Sequence, residues 1–389
     1  MREGWSKKSM NEIATITMGQ SPSGNSINET EGIEFHQGKI YFGEKYINES
    51  HFYTSEPIRI AEPNSLLLCV RAPIGVVNMT ARKICIGRGL CSIKANDSIH
   101  PNYLYYALLS QKDYFDKNAT GSTFLAISSN VVKDTQISFP SKDKQIQIAS
   151  ELDKITEMIS KYDEQLKELD KLSQSIFYEM FGDPVENEKG WEVKTLKSIA
   201  EKITSGNNAK LEAGTYKTEG IPYFRCQNVW KNRIDYQDMV YIDEETNNKM
   251  KSSVLKHNDL LITKIGRINT ENSSLGRVSI YTGEDNKANL SGNLCYIRLL
   301  DVVNPIFVLH IMVSNFFRDY IRRTTVGGTD KRALNSPQIG RFPIILPPLP
   351  LQQSFARKIE AIEAMKSKVK EAKKEAETLL AARMQYWFE

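Results

Sequence analysis

Asp183 followed by Glu192-Val193-Lys194 has the loose outline of a D…E-x-K site, in which carboxylates and a lysine would hold a metal for phosphodiester hydrolysis. Such triplets arise often by chance, and Asp183 falls in a linker-like stretch, FGDPVENEKG. Asn304-Pro305-Ile306-Phe307 falls one proline short of the N-P-P-F element of adenine methyltransferases, and no Gly-rich cofactor loop accompanies it. An Asn N-cap with Pro at the first helical position explains those residues better. There is no G-x-x-x-x-G-K-[ST] loop for ATP. The five cysteines, Cys69, Cys85, Cys91, Cys226 and Cys295, form no C-x-x-C pair and have no His cluster beside them, which argues against zinc. Their odd number without framework spacing suggests a reducing cytoplasm. These residues predict a chain with no catalytic centre, metal or cofactor of its own.

The side chains better suited to a task are cations and amides in polar loops. Arginine makes bidentate contacts to guanine, Asn or Gln to adenine, while Lys and hydroxyls mostly hold phosphates. In the first half of the chain the candidates are Arg71, Arg82 and Lys83, with Gln20, Ser21 and Asn25 on an early loop. In the second half they are Lys264, Arg267, Lys331 and Arg332, with Asn207, Asn208, Arg225 and Gln227. The loop GGTDKR after Val326 joins glycines to two cations, whereas its counterpart, GSTF after Thr120, lacks them. A net charge of +4 permits nucleic-acid binding without arguing for it. The stretch 142–181 is acid-rich, so the positive excess lies elsewhere.

What must position these residues is a tandem repeat of about half the chain. Gly4-Trp5 recurs as Gly190-Trp191, Ile13-Ala14 as Ile199-Ala200, and Thr17-Met18-Gly19 as Thr204-Ser205-Gly206. Gly32-Ile33 then Phe35 matches Gly220-Ile221 then Phe224, and Leu66–Leu68 after Asn64 matches Leu260–Ile262 after Asn258. Leu90-Cys91 matches Leu294-Cys295, Gly121-Ser122 matches Gly328-Thr329, and Gln145 matches Gln352. Leu66–Val70, Lys83–Ile86, Leu260–Thr263 and Arg277–Tyr281 read as strands, and Asn102–Phe115 and Pro305–Tyr320 as helices. The run Ile306–Phe317 is too short to span a bilayer.

Each copy closes with a long helix. Ile148, Leu152, Ile155, Ile159, Tyr162, Leu166, Leu169, Ile176 and Met180 keep a heptad spacing, with Ser173 in the one polar slot. At ~1.5 Å per residue this is a rod of ~55 Å. In the second helix Phe355, Ile359, Ile362, Val369, Ala376, Leu380 and Trp387 keep the seam, and Lys366 and Lys373 interrupt it. Asp183-Pro184 should end the first helix. The expected class is α+β: domains at 1–140 and 191–347, helices at 141–182 and 348–389, and a linker at 183–190. If a pseudo-two-fold relates the copies, the helices pair antiparallel as a coiled coil.

Together the Gly-Trp starts, the GST/GGT loop, the stretches QISFPS and PIILPPLPLQQ, the closing helices and the FGDPVENEKGW junction resemble the specificity subunit of Type I restriction-modification systems. The resemblance covers the whole chain. It implies two target recognition domains, each reading half of a split, asymmetric DNA sequence, with the helices as a ruler between them. It implies as partners double-stranded DNA, two modification subunits using S-adenosylmethionine, and optional motor-nuclease subunits using ATP and magnesium. Copy one departs from the pattern where Lys142-Asp143-Lys144 replaces the Leu349-Pro350-Leu351 entry. A self-contained nuclease or methyltransferase, and a protein-binding coiled-coil scaffold, stand as the alternative readings.

Overall fold

The computed structural model describes residues 2–121, 125–208, 216–268, 273–325 and 330–389. It divides into two compact units: Met1–Gln165 with Val369–Glu389, and Leu166–Lys368. Each long helix contributes to both units.

Unit 1 is built on a four-stranded antiparallel sheet in the order Ala14–Met18, Leu90–Ala95, Ser65–Cys69, Val77–Thr80. Leu66, Leu67 and Leu68 are all fully buried, which explains their unbroken apolar run. A second sheet contains a parallel pair, Ile33–His36 against Ile84–Ile86, with His36 opposite Ile86. Ser6–Ser9 pairs with Gln136–Phe139 and so ties the start of the unit to the segment entering the first long helix.

Unit 2 repeats this topology. Its four-stranded sheet runs Ala200–Ser205, Leu294–Leu299, Leu260–Thr263, Val278–Ile280. Its parallel pair is Ile221–Phe224 against Asn289–Leu290, with Phe224 opposite Leu290. This register makes His36, and not Phe35, the counterpart of Phe224, correcting the sequence match by one residue. Asn64 (φ 61°) and Asn258 (φ 70°) turn the chain through the left-handed region before the equivalent central strands, a conformation Asn tolerates.

The helices expected at Asn102–Phe115 and Pro305–Tyr320 are each broken in two: Pro101–Leu109 with Lys112–Lys117, and Pro305–Met312 with Asn315–Thr324. Serine is the reason in both. The Ser110 hydroxyl donates to the Ala107 carbonyl at 2.8 Å and that of Ser314 to Ile311 at 2.6 Å, taking up carbonyls at the break. Among the described residues no helix is long and apolar enough to cross a membrane.

The two long helices are Lys142–Phe181 and Leu349–Phe388. Each is fastened by a buried glutamine in its first turn. Gln145 Nε2 donates to the Pro140 carbonyl at 2.9 Å while Oε1 accepts the His100 N–H at 2.7 Å. Gln352 does the same with Pro347 at 2.7 Å and Asn304 at 2.9 Å. Substituting Lys142-Asp143-Lys144 for the Pro-Leu entry leaves this fastening intact.

In unit 1, Arg383 pairs with Glu151 and Lys373 with Asp163. In unit 2, Lys366 pairs with Asp170 at 2.6 Å, and Phe355 packs on Phe177 and Phe181. Rising numbers on one helix meet falling numbers on the other, so within each unit the helix segments are antiparallel. Lys366 and Lys373 thus do not interrupt the packing: acids of the first helix receive them.

Of the expected seam, Ile148, Leu152, Ile155, Ile359 and Ile362 are buried, and Ile159, Leu166, Leu169, Val369 and Leu380 half-buried. Ile148 and Leu152 also enter the unit 1 core beside Tyr103 and Tyr106, with Leu380 and Trp387 packed against it. Phe177, off the heptad, is 4% exposed and lies in the unit 2 core.

The first helix ends at Phe181 with Gly182 in the left-handed region (φ 76°). Asp183 then accepts the Val185 N–H at 2.7 Å, and Trp191 Nε1 donates to the Phe181 carbonyl at 2.8 Å.

Candidate nucleic-acid interface

One backbone frame occurs in each unit at the ends of the central strands. In unit 1 the Gly19 N–H donates to the Leu90 carbonyl at 2.9 Å, Gln20 to Ile86 at 3.0 Å, Gly87 to His36 at 2.7 Å and Val70 to Gly89 at 3.0 Å. In unit 2 the same bonds join Gly206 to Leu294 at 3.0 Å, Asn207 to Leu290 at 3.1 Å, Ser291 to Phe224 at 2.9 Å and Lys264 to Asn293 at 2.9 Å. Arg71 bridges Ala126, as Ile265 pairs with Ala333. The frame needs glycine at its entrance: a Cβ on Gly19 would sit 2.1 Å from the Gly87 carbonyl oxygen, and one on Gly206 2.2 Å from that of Leu290.

The bonds give a residue-by-residue correspondence. Gln20 answers to Asn207, Gln37 to Arg225, Lys39 to Gln227, Val70 to Lys264, Arg71 to Ile265, and Arg88 to Gly292. The frame is common and its side chains differ, which is the arrangement required to present two chemistries on one scaffold.

In unit 2 the frame gathers several expected residues. Asn208 Oδ1 accepts the Gly292 N–H at 3.2 Å, and Lys264 Nζ donates to Ser205 Oγ at 2.6 Å. Arg225 donates to the Asp238 carbonyl at 2.7 Å and Gln227 to the Asp238 carboxylate at 3.2 Å. Asn207 is turned inward, donating to Ser252 and Ser253 at 2.9 Å each. Arg267 and Lys331 face each other across a short ladder, and Arg267 lies 3.6 Å from Asp330. Arg332 donates to the Thr325 carbonyl at 2.5 Å.

In unit 1, Arg71 is exposed on the frame, whereas Ser21 is half-buried and Asn25 exposed on the early loop. Arg82 is elsewhere: its guanidinium binds Glu34 at 2.6 and 2.7 Å and the carbonyls of Ile47 and Asn48 at 3.1 and 2.9 Å. Four of its five N–H donors are thus spent on protein acceptors, and the side chain ties three loops together. Lys83 lies 3.6 Å from Glu62, both half exposed. Most of the GST/GGT loop, 122–124 and 326–329, lies outside the described residues.

Three frame residues escaped sequence reasoning: Gln37, Lys39 and Arg88, all exposed. Carrying Arg225 and Gln227 across the repeat would have found the first two; Arg88 has no cationic counterpart to signal it.

Residues of both candidate catalytic motifs have structural partners. Asn304 caps its helix, accepting the Ile306 and Phe307 N–H groups at 2.9 and 3.2 Å, with Pro305 first in the helix. Lys194 pairs with Glu192 at 3.3 Å. Among the described residues no three His, Cys, Asp or Glu side chains are grouped to hold a metal. Burial pushes the thiols of Cys69, Cys91 and Cys295 up to about 12. Cys85 is buried as well, and Cys226, in the unit 2 frame, is half-buried.

A family model described as the Type I restriction modification DNA specificity domain matches residues 2–171 and 188–378. The specificity subunit of the type I restriction enzyme MjaIX of Methanocaldococcus jannaschii is 25% identical over 379 residues, covering 90% of this chain and 85% of that one. The putative MjaX specificity subunit of the same organism is 35% identical over 163 residues, 41% of this chain and 38% of the relative. In fold, the chain is similar to a crystal structure of a Type-I restriction-modification S subunit from M. genitalium, with TM-score 0.62, 17% identity, and 98% and 95% of the two chains covered.

Proposed function

Because this chain belongs to the Type I restriction modification DNA specificity family, we propose that it is the non-catalytic, sequence-reading subunit of a restriction-modification complex. It reads a bipartite, asymmetric DNA site and directs adenine methylation and restriction by partner subunits. The observation that carries this reading is the frame built twice with different side chains. One scaffold with two sets of donors suits two unlike half-sites.

The long helices set the distance between the halves. They leave apolar side chains exposed, among them Met158 at 43%, Leu172 at 46%, Met365 at 53% and Leu379 at 47%, and these suit docking of two modification subunits. Those subunits supply S-adenosylmethionine chemistry; motor-nuclease subunits, where present, supply ATP- and magnesium-dependent cleavage. All of this takes place in the cytoplasm. DNA contacts are expected from Ser21, Asn25, Arg71 and Lys83 in unit 1. In unit 2 they are expected from Asn208, Arg225, Gln227, Lys264, Arg267, Lys331 and Arg332.

The test is a genome-wide map of adenine methylation in source cells with and without the gene. Loss of one split, asymmetric motif on deletion supports the reading and gives both halves and their spacing. An unchanged map in cells that express the protein overturns it and favours a protein-binding scaffold.

A further inference from the structure

We propose that Arg71 and Arg88 determine specificity in the unit 1 half-site by each taking the edge of a guanine; this rests on the DNA-reading role above. The two arginines border a cleft of about 200 Å³ together with Gln37, Lys39, Cys69 and Gly89.

The backbone beneath them is fixed. Val70 N–H bonds Gly89 between them, Gly87 is tied to His36, and Leu90 N–H closes the Gly87 turn at 2.9 Å. A Cβ on Gly89 would lie 2.3 Å from the Gln37 carbonyl oxygen, so the three loops touch at the level of the main chain. The side chains, by contrast, are exposed. Among the described residues neither arginine has a carboxylate partner, whereas Arg82 is taken by Glu34 and Lys83 by Glu62.

The frame does not need these arginines for its own integrity, since the same positions in unit 2 carry Ile265 and Gly292. Two guanidinium groups beside one cleft match ligands with paired acceptors. Guanine offers N7 and O6 in the major groove, and one Arg meets both with two parallel N–H donors, so the two arginines suit two guanines. Unit 2 lacks both arginines at this place, carrying Ile265 and Gly292, so its half-site must be read by other side chains of the unit.

The test uses the full chain co-expressed with its modification subunits, with the methylated motif read by sequencing. Arg71→Ala, Arg88→Ala and the corresponding Lys variants are compared with wild type, and thermal unfolding controls for folding. The expected result is loss of preference for one guanine in one half, by roughly 5- to 100-fold in discrimination. The other half and the spacing should stay unchanged. The Lys variants should keep only part of the preference, because the ammonium lacks the planar fork that matches N7 and O6.

A motif that stays intact while binding weakens evenly at all sites, with a salt slope reduced by about one, would mean phosphate contacts and overturn the assignment. An unchanged motif and unchanged affinity would overturn it too, leaving the DNA-reading role standing. A wild-type complex that directs no methylation would bring down that role and this inference with it.

Discussion

Arg82→Ala withdraws the guanidinium from a carboxylate whose side chain is only 9% exposed. Burial by itself pushes the Glu34 carboxyl up, but the Arg82 guanidinium, the Ser50 N–H and the His36 ring outweigh it and hold it at about 2. Removing one partner of a buried pair costs about 3–5 kcal/mol, because the other charge is left without compensation. Arg82 is itself 36% exposed, so screening by solvent places the effect near the lower end, about 3 kcal/mol. For a unit of this size that is roughly 6–12 °C in Tm. The folded carboxyl titrates below its ordinary value, so its stabilisation is present above about pH 4.5 and is lost as the pH falls toward 2. Arg82→Ala should therefore lower the melting temperature at pH 7 and flatten its decline through this acid window, as followed by circular dichroism. The double variant Glu34→Gln with Arg82→Ala should melt higher than Arg82→Ala alone, having no buried charge. An Arg82→Ala chain that melts like wild type but loses DNA affinity would refute the reasoning and return Arg82 to the list of DNA contacts.

Further outcomes are expected elsewhere in the fold. Gln352→Ala orphans the Asn304 N–H and the Pro347 carbonyl, at about 1–3 kcal/mol each, and urea unfolding of unit 2 should register the sum. Asn304→Ala removes a helix cap worth about 1 kcal/mol and should leave the methylated motif unchanged; a lost motif with normal stability would contradict the capping role. Lys366→Met should leave thermal stability equal or higher, because it removes the buried charge while the acids left behind, Asp170 at 72% and Glu363 at 39% side-chain exposure, stay solvated. Reversing both charges of Lys373 and Asp163 should restore most of what either single reversal costs, as measured by a double-mutant cycle.

The repeat and its strands were legible because their constraints are local. A left-handed turn calls for Asn64 and Asn258, close backbone approach calls for Gly19 and Gly206, and a central strand calls for Leu66–Leu68. The long helices were legible from apolar spacing, although Phe177 and the lysines of the seam were not, since their partners come from the far end of the chain. Matching Phe35 to Phe224 by residue type hid the correspondence of His36 to Phe224 until the parallel ladder fixed the register. The contact residues were the least legible. Arg71 and Arg82 look alike in sequence, and only the fold shows that Glu34 reaches across the unit to one of them.

The burial of four cysteines leaves the chain with a single half-accessible thiol. Cys226 Sγ rests 3.5 Å from the Asn293 carbonyl, and burial holds its thiol above the ordinary value, so alkylation at neutral pH will be slow. An environment-sensitive dye attached there under mildly alkaline conditions would label one position, on the frame itself, without any engineered residue. Protection of that thiol by oligonucleotides of defined sequence would turn the native side chain into a gauge of occupancy for the second half-site.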